Sequence, residues 1–174
     1  NVEKSFVYHY RKYGFWAPAV GNYFEEGVMD HIDDDDFRAL LALVDPYAYR
    51  ERYTMPKFIV NGSGDQFFRP ESSRFYYAAL PGEKHIRYVP NAGHDVGKGT
   101  DALGTIVAFY QAVLEKQARP ELHWTVGNDG SLRVTSSVTP KAVRLWSATN
   151  PKFNDFRIDS AGPIYHSTDL TAAD

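Results

Sequence analysis

The sequence predicts an α/β protein, with a strand–helix–strand–helix unit on a parallel sheet followed by a smaller antiparallel β region. Three observations predict it. Residues 57–61 and 84–89 are short apolar runs bounded by turn residues, as in strands covered on both faces. A helical stretch lies between them and a longer amphipathic one follows, the order of a βαβ unit. After Arg119-Pro120 the apolar residues alternate instead, at Trp124/Val126, Leu132/Val134 and Val143/Leu145.

The elements follow in order. Residues 1–30 show no clean period and predict irregular chain or short helices broken at Gly14, Pro18 and Gly21. Aromatic residues crowd this stretch, eight of them within the first 24 positions. They suit either a packing segment or a lid over a substrate cleft. Asp33–Asp36 precede Phe37, Leu40, Leu41 and Val44, an i, i+3, i+4, i+7 pattern that predicts a helix capped by aspartates and ended at Asp45-Pro46. The acidic cluster from Asp30 to Asp36 could also attract a cation, but it lacks EF-hand spacing. Pro70 is placed to open a helix from Glu71 to Leu80, with Pro81-Gly82 ending it. Thr100 or Asp101 caps the next helix, whose Leu103, Ile106, Val107, Tyr110 and Leu114 form one apolar stripe. Asn128-Asp129-Gly130 is a hairpin turn. Three or four strands are too few for the roughly seven of an Ig-like sandwich, so the expectation is a sandwich-like region continued elsewhere. The expected units are 1–118 and 119–174.

The chemistry gathers at two strand ends. Phe58–Asn61 runs into Gly62-Ser63-Gly64-Asp65, and Ile86–Val89 runs into Pro90-Asn91-Ala92-Gly93-His94. A parallel sheet brings both loops to one end, where sites collect. An acid and then a histidine, each just past a strand, is the order in which an α/β-hydrolase presents the last two members of its triad. The expected geometry is a carboxylate oxygen of Asp65 within roughly 2.6–3.2 Å of a ring nitrogen of His94. No G-x-S-x-G nucleophile turn occurs in the 174 residues, so the chain is expected to be the C-terminal part of such a fold. Ser63 lies in a G-S-G context on the acid's own loop and does not fit the nucleophile pattern. Asp95 follows His94 directly and cannot easily face its ring. His9, His31, His85, His123 and His166 lack partner spacing, and neither H-x-x-x-H nor H-E-x-x-H is present, so no metal or other cofactor is expected.

The gross numbers exclude other classes. Hydrophobic residues at 43% and charged residues at 24% describe a folded chain. A net charge of −3 gives no reason to expect a nucleic-acid partner. There is no cysteine, which removes disulfides and thiol catalysis. No apolar run approaches the roughly 20 residues of a membrane span. The first residue is Asn1, compatible with a processed or an internal start.

The residues also resemble a known family. Met55-Pro56-Lys57, Gly64-Asp65-Gln66-Phe67-Phe68, Leu80-Pro81-Gly82-Glu83-Lys84-His85, and Arg87-Tyr88-Val89-Pro90-Asn91-Ala92 with His94 are similar to the PhoPQ-activated pathogenicity-related family, which also includes autocrine proliferation repressors. Tyr13–Trp16, Asp36-Phe37 and Val44–Tyr47 fit as well. The resemblance implies an α/β-hydrolase-like domain followed by a β-sandwich, in secreted or periplasmic proteins. It implies that Asp65 and His94 are the acid and the histidine, and that the serine lies before Asn1. Two functions are therefore expected as alternatives. One is ester or amide hydrolysis of a small-molecule or peptide substrate, with the remaining N-terminal part of the protein as the necessary partner. The other is a non-catalytic binding or signalling role on the same scaffold.

Overall fold

The computed structural model describes residues 1–171. Its first element differs from the sequence expectation. Val2–Tyr13 is one twelve-residue helix, α1. Asn1 accepts the Lys4 N–H, the Asp45 carboxylate accepts the Val2 N–H at 2.7 Å, and Gly14 closes the other end at φ 76°. The buried face of α1 carries His9 beside Phe6, and that polar residue breaks the apolar period. Short turns follow, with the helix α2 at Gly21–Glu25. The helix α3, Asp35–Val44, lies where the pattern puts it. Asp34 occupies its cap position but makes no capping bond, because its carboxylate binds His31 Nδ1 at 2.7 Å. The aspartates keep only their favourable place at the positive helix end. Phe6, Val20, Met29, Ile32 and Phe37 form the core of this region, and Trp16, Leu41 and Phe67 pack on it.

The strands β1 (Lys57–Gly62) and β2 (Lys84–Val89) are parallel, in register from Lys57↔Lys84 to Gly62↔Val89. Between them the expected single helix is two 3₁₀ turns, Pro70–Phe75 and Tyr77–Ala79. Tyr76, at φ −140°, leaves the helical region, and the carbonyls of Ala78 and Leu80 accept from Lys84 Nζ instead of from a following turn. Lys57 Nζ likewise donates to the carbonyls of Tyr53, Met55 and Pro81, which ties the chain entering β1 and the far end of this connection to the first residue of β1. The helix α4, Ala102–Leu114, buries Ala102 against Val89 and Ala92 and stacks Phe109 on Phe58, with centroids 5.2 Å apart. Its expected core stripe is exposed in this chain, Leu103 at 66% and Leu114 at 63%. The two parallel strands bury one edge of the helix, and among the described residues nothing covers the exposed stripe.

Arg119 pairs with Glu83, which also binds His85 Nε2 at 2.8 Å, so the linker after α4 is clipped to the start of β2. The Arg119 hydrogen bonds hold the Glu83 carboxyl down at about 2. Beyond it, β3 (Leu122–Val126) and β4 (Leu132–Ser136) form an antiparallel hairpin through Asn128-Asp129-Gly130, with Gly130 at φ 81°. β5 (Val143–Ser147) and β6 (His166–Leu170) form a second antiparallel pair. These are separate two-stranded sheets with every strand residue exposed, not a closed sandwich. The stretch 154–165, on the β-rich side of the expected boundary, lies against the loops after β1 and β2. It includes the short helix α5, Ile158–Ala161. No helix of the described residues is long and apolar enough to cross a membrane.

The bare α4 stripe and the open edges of the two-stranded β1–β2 sheet set the behaviour of this chain by itself. Expressed alone, residues 1–174 should self-associate in sedimentation velocity, and Leu103→Glu with Tyr110→Glu should reduce that association. In the full-length protein the same pair should lower the melting temperature. A sharp, cooperative monomer melt of the isolated chain would show that the stripe needs no cover.

Candidate functional site

The site starts from a close approach of two loops. A Cβ on Gly62, the last residue of β1, would collide with the carbonyl oxygens of Ala92 and Gly93. Only glycine lets the chain leaving β1 lie against the chain leaving β2. Backbone bonds then lock the pair, with Ser63 N–H on Val89 O and Gly64 N–H on Ala92 O, both 2.9 Å. The buried Ser63 hydroxyl accepts the Asn91 N–H at 2.9 Å, a structural use consistent with its poor fit to a nucleophile turn.

Asp65 is 5% exposed. Its Oδ1 accepts the N–H groups of Phe67 and Phe68 at 2.7 and 2.8 Å, which fixes the carboxylate plane. Its Oδ2 lies 3.1 Å from His94 Nδ1, within the distance expected from the sequence. The His94 N–H donates to Gln66 Oε1 at 3.2 Å, and its ring lies 5.3 Å from that of Phe67 and 5.4 Å from that of Phe68. Pairing with a carboxylate assigns the proton to Nδ1 and leaves the Nε2 lone pair free. The ring is half exposed, and among the described residues Nε2 has no hydrogen-bond partner. A histidine so arranged can take a proton from a hydroxyl brought to Nε2 and return it to a leaving group.

A cavity of about 300 Å³ lies between α1 and the acid loop. Phe6, His9, Tyr23, Asn61, Phe67 and Phe68 are among its walls. Phe6 is a core residue, as the packing reading of the aromatic segment expects, and it joins Tyr23 in facing the cavity. The other histidines of the first region are engaged elsewhere: His31 with Asp34, His85 with Glu83, His9 with the Ala17 N–H. No three His, Cys, Asp or Glu side chains among the described residues are grouped as metal ligands.

Sequence reasoning paired Asp65 with His94, and the structure brings the two side chains together. It missed the roles of Gln66, Phe67 and Phe68 as supports of the histidine, although they directly follow the acid. It also missed Arg69, 2% exposed and lying over the rings of Tyr8 and Tyr13 at 4.3 and 4.8 Å. An arginine beside aromatics is visible in sequence only when the partners are near, and these are more than 50 residues away.

Residues 1–157 match the family described as PhoPQ-activated pathogenicity-related protein. The chain belongs to this family. Over 171 residues it is 34% identical to autocrine proliferation repressor protein A of Dictyostelium discoideum, covering 91% of this chain and 35% of that protein. The chain therefore spans about a third of the length of that relative. No solved structure matches it.

In this PhoPQ-related chain the buried His9 carries a pH dependence. Its ring stacks on Trp16 at 5.8 Å and its Nε2 accepts the Ala17 N–H at 3.1 Å. Burial, and then the positive charges of Arg69 and Arg157, lower it from 6.5 to about 4. Folding therefore favours the neutral ring. The His9 contribution to stability is intact above the unfolded value, is lost as pH drops from 6.5 toward 4, and changes no further below the folded value. By linkage the loss is about 3 kcal/mol across that window. Denaturant titrations of the full-length protein from pH 7 to 4 should show this slope, and His9→Gln should flatten it.

Proposed function

We propose that this chain supplies the acid and the histidine of a serine-hydrolase site in an α/β-hydrolase-type fold. The observation that supports the reading is the buried Asp65 carboxylate 3.1 Å from Nδ1 of a half-exposed histidine whose Nε2 has no hydrogen-bond partner among the described residues, at the ends of adjacent parallel strands. In this reading another part of the full-length protein presents the serine. His94 Nε2 takes the serine proton as the hydroxyl attacks an ester or amide carbonyl. The proton then passes to the leaving alcohol or amine, while Asp65 holds the ring and stabilises the imidazolium. Water repeats the cycle to release the acyl group. The reaction needs no cofactor. The substrate is a small molecule or a peptide. The β-rich residues would belong to a sandwich completed by further chain, and the family resemblance suggests a secreted or periplasmic setting. The name of the Dictyostelium relative, a proliferation repressor, favours a second reading in which the same scaffold binds a partner without catalysis.

A rate measurement with a thermal melt separates the two. In the full-length protein His94→Ala should abolish hydrolysis of a short-chain ester while shifting the melt little. Asp65→Asn should slow it on the order of 10⁴-fold by misorienting the imidazole. A structural histidine would give the reverse, with stability lost and turnover per folded molecule kept. Unchanged turnover in a well-folded His94→Ala protein would leave only the scaffold.

A further inference from the structure

The residues that carry the two side chains are each preceded by a glycine, and one side chain from the far end of the sequence lies against both. A Cβ on Gly64 would come within 3.0–3.3 Å of the backbone N, Cβ and Cα of Ile158. A Cβ on Gly93 would come within 2.9 Å of Ile158 Cγ2. Ile158 also donates its N–H to the Gly64 carbonyl at 2.8 Å. Seven residues on, Tyr165 makes a two-point bridge. Asn91 Oδ1 accepts the Tyr165 N–H and Asn91 Nδ2 donates to the Tyr165 carbonyl, each at 2.9 Å. Asn91 stands at φ 57°, so the loop before His94 takes a left-handed turn at the point of attachment. The near end of the segment is anchored too. Arg157 is 6% exposed, paired with Asp155 at 2.7 Å and lying 4.6 Å over the Tyr13 ring of α1.

We infer that residues 155–165 are a brace that sets the relative position of Asp65 and His94, with Ile158 and Asn91 as positioning residues. The inference rests on the proposed hydrolase reading for its kinetic consequence and on geometry alone for its structural one. The acid loop is held from within by its own N–H groups, and the histidine loop by Gln66. Ile158 is the contact that touches both chains one residue before the functional side chain. Removing the side chain beyond Cβ frees the Gly93 side alone, since the Gly64 contacts are made by N, Cα and Cβ, and so lets the histidine loop slide against the held acid loop. Misplacement by about 1 Å at a reacting group costs on the order of 10²-fold in rate.

The test uses the full-length protein, with ester hydrolysis and site-resolved acylation of His94 by diethyl pyrocarbonate, read by peptide mass spectrometry. Asp65→Asn supplies the scale for an unpaired ring. Ile158→Ala should lower kcat by roughly 10- to 100-fold with KM changed little, and should move His94 acylation several-fold toward the Asp65→Asn rate. Ile158→Val, which retains Cγ2, should restore most of both. Asn91→Gly keeps the left-handed backbone and removes only the side-chain bridge, and it should act in the same direction. It also serves if Ile158→Ala fails to fold. Wild-type kcat and wild-type His94 acylation in the folded variants would overturn the brace. If the full-length protein hydrolyses no ester, the hydrolase reading fails separately and the acylation arm decides: a moved rate supports the brace, an unmoved rate overturns it.

Discussion

The contact between Gly62 and the carbonyls of Ala92 and Gly93 is the constraint on which the site depends. A parallel pair of strands delivers two loops to one end of a sheet, but side chains normally hold such loops apart. Here glycines at positions 62, 64 and 93 remove that separation, so the backbones bond directly and Asp65 meets His94 across 3.1 Å. The remaining parts hold this contact from different sides. Phe67 and Phe68 flank the imidazole, Gln66 holds its backbone, and Ile158 lies against the two preceding glycines. Each support is an ordinary packing or hydrogen-bonding interaction. Their combined effect is to hold the histidine ring against the acid.

Much of this was legible in the sequence for a definite reason. β1, β2, α3 and α4 are carried by local patterns: a short apolar run, a helical period, a proline or glycine at the end. Asp65 and His94 were legible because strand-end loops have only one place to go in a parallel pair. What was not legible follows equally physical lines. α1 hides behind the polar His9 on its buried face. The helix expected over 71–80 gives way to 3₁₀ turns because Lys84 takes carbonyls that a helix would use. Asp34 looked like a cap, but a histidine three residues earlier holds its carboxylate. The segment 155–165 carries no period and no motif, and its partners lie more than 60 residues away, beyond any local rule.

The bare surfaces are a further property of the chain. Amphipathic patterning states that a face is meant to be covered, not by what. The α4 stripe and the strand faces of the β-rich region have the composition of interior surface and the exposure of exterior surface. A chain that spans 35% of its Dictyostelium relative is consistent with cover supplied from elsewhere in a longer polypeptide. Several charged pairs close within the chain itself: Arg69 binds Glu71, Arg119 binds Glu83, and Arg157 binds Asp155.

The bridge between Asn91 and Tyr165 closes a loop of 74 residues, whereas the acid and the histidine are 29 apart. During synthesis these closures come in a fixed order. At about 5–20 residues per second, Tyr165 is added some 4–15 s after Asn91. For that interval the strand-end loops exist without their outer support, on a ribosome-bound chain. The bridge is therefore among the last of these contacts to become available, and the two side chains reach their final setting only near the end of the region's synthesis. The nascent chain carries His94 well before it carries the outer contacts that hold its loop.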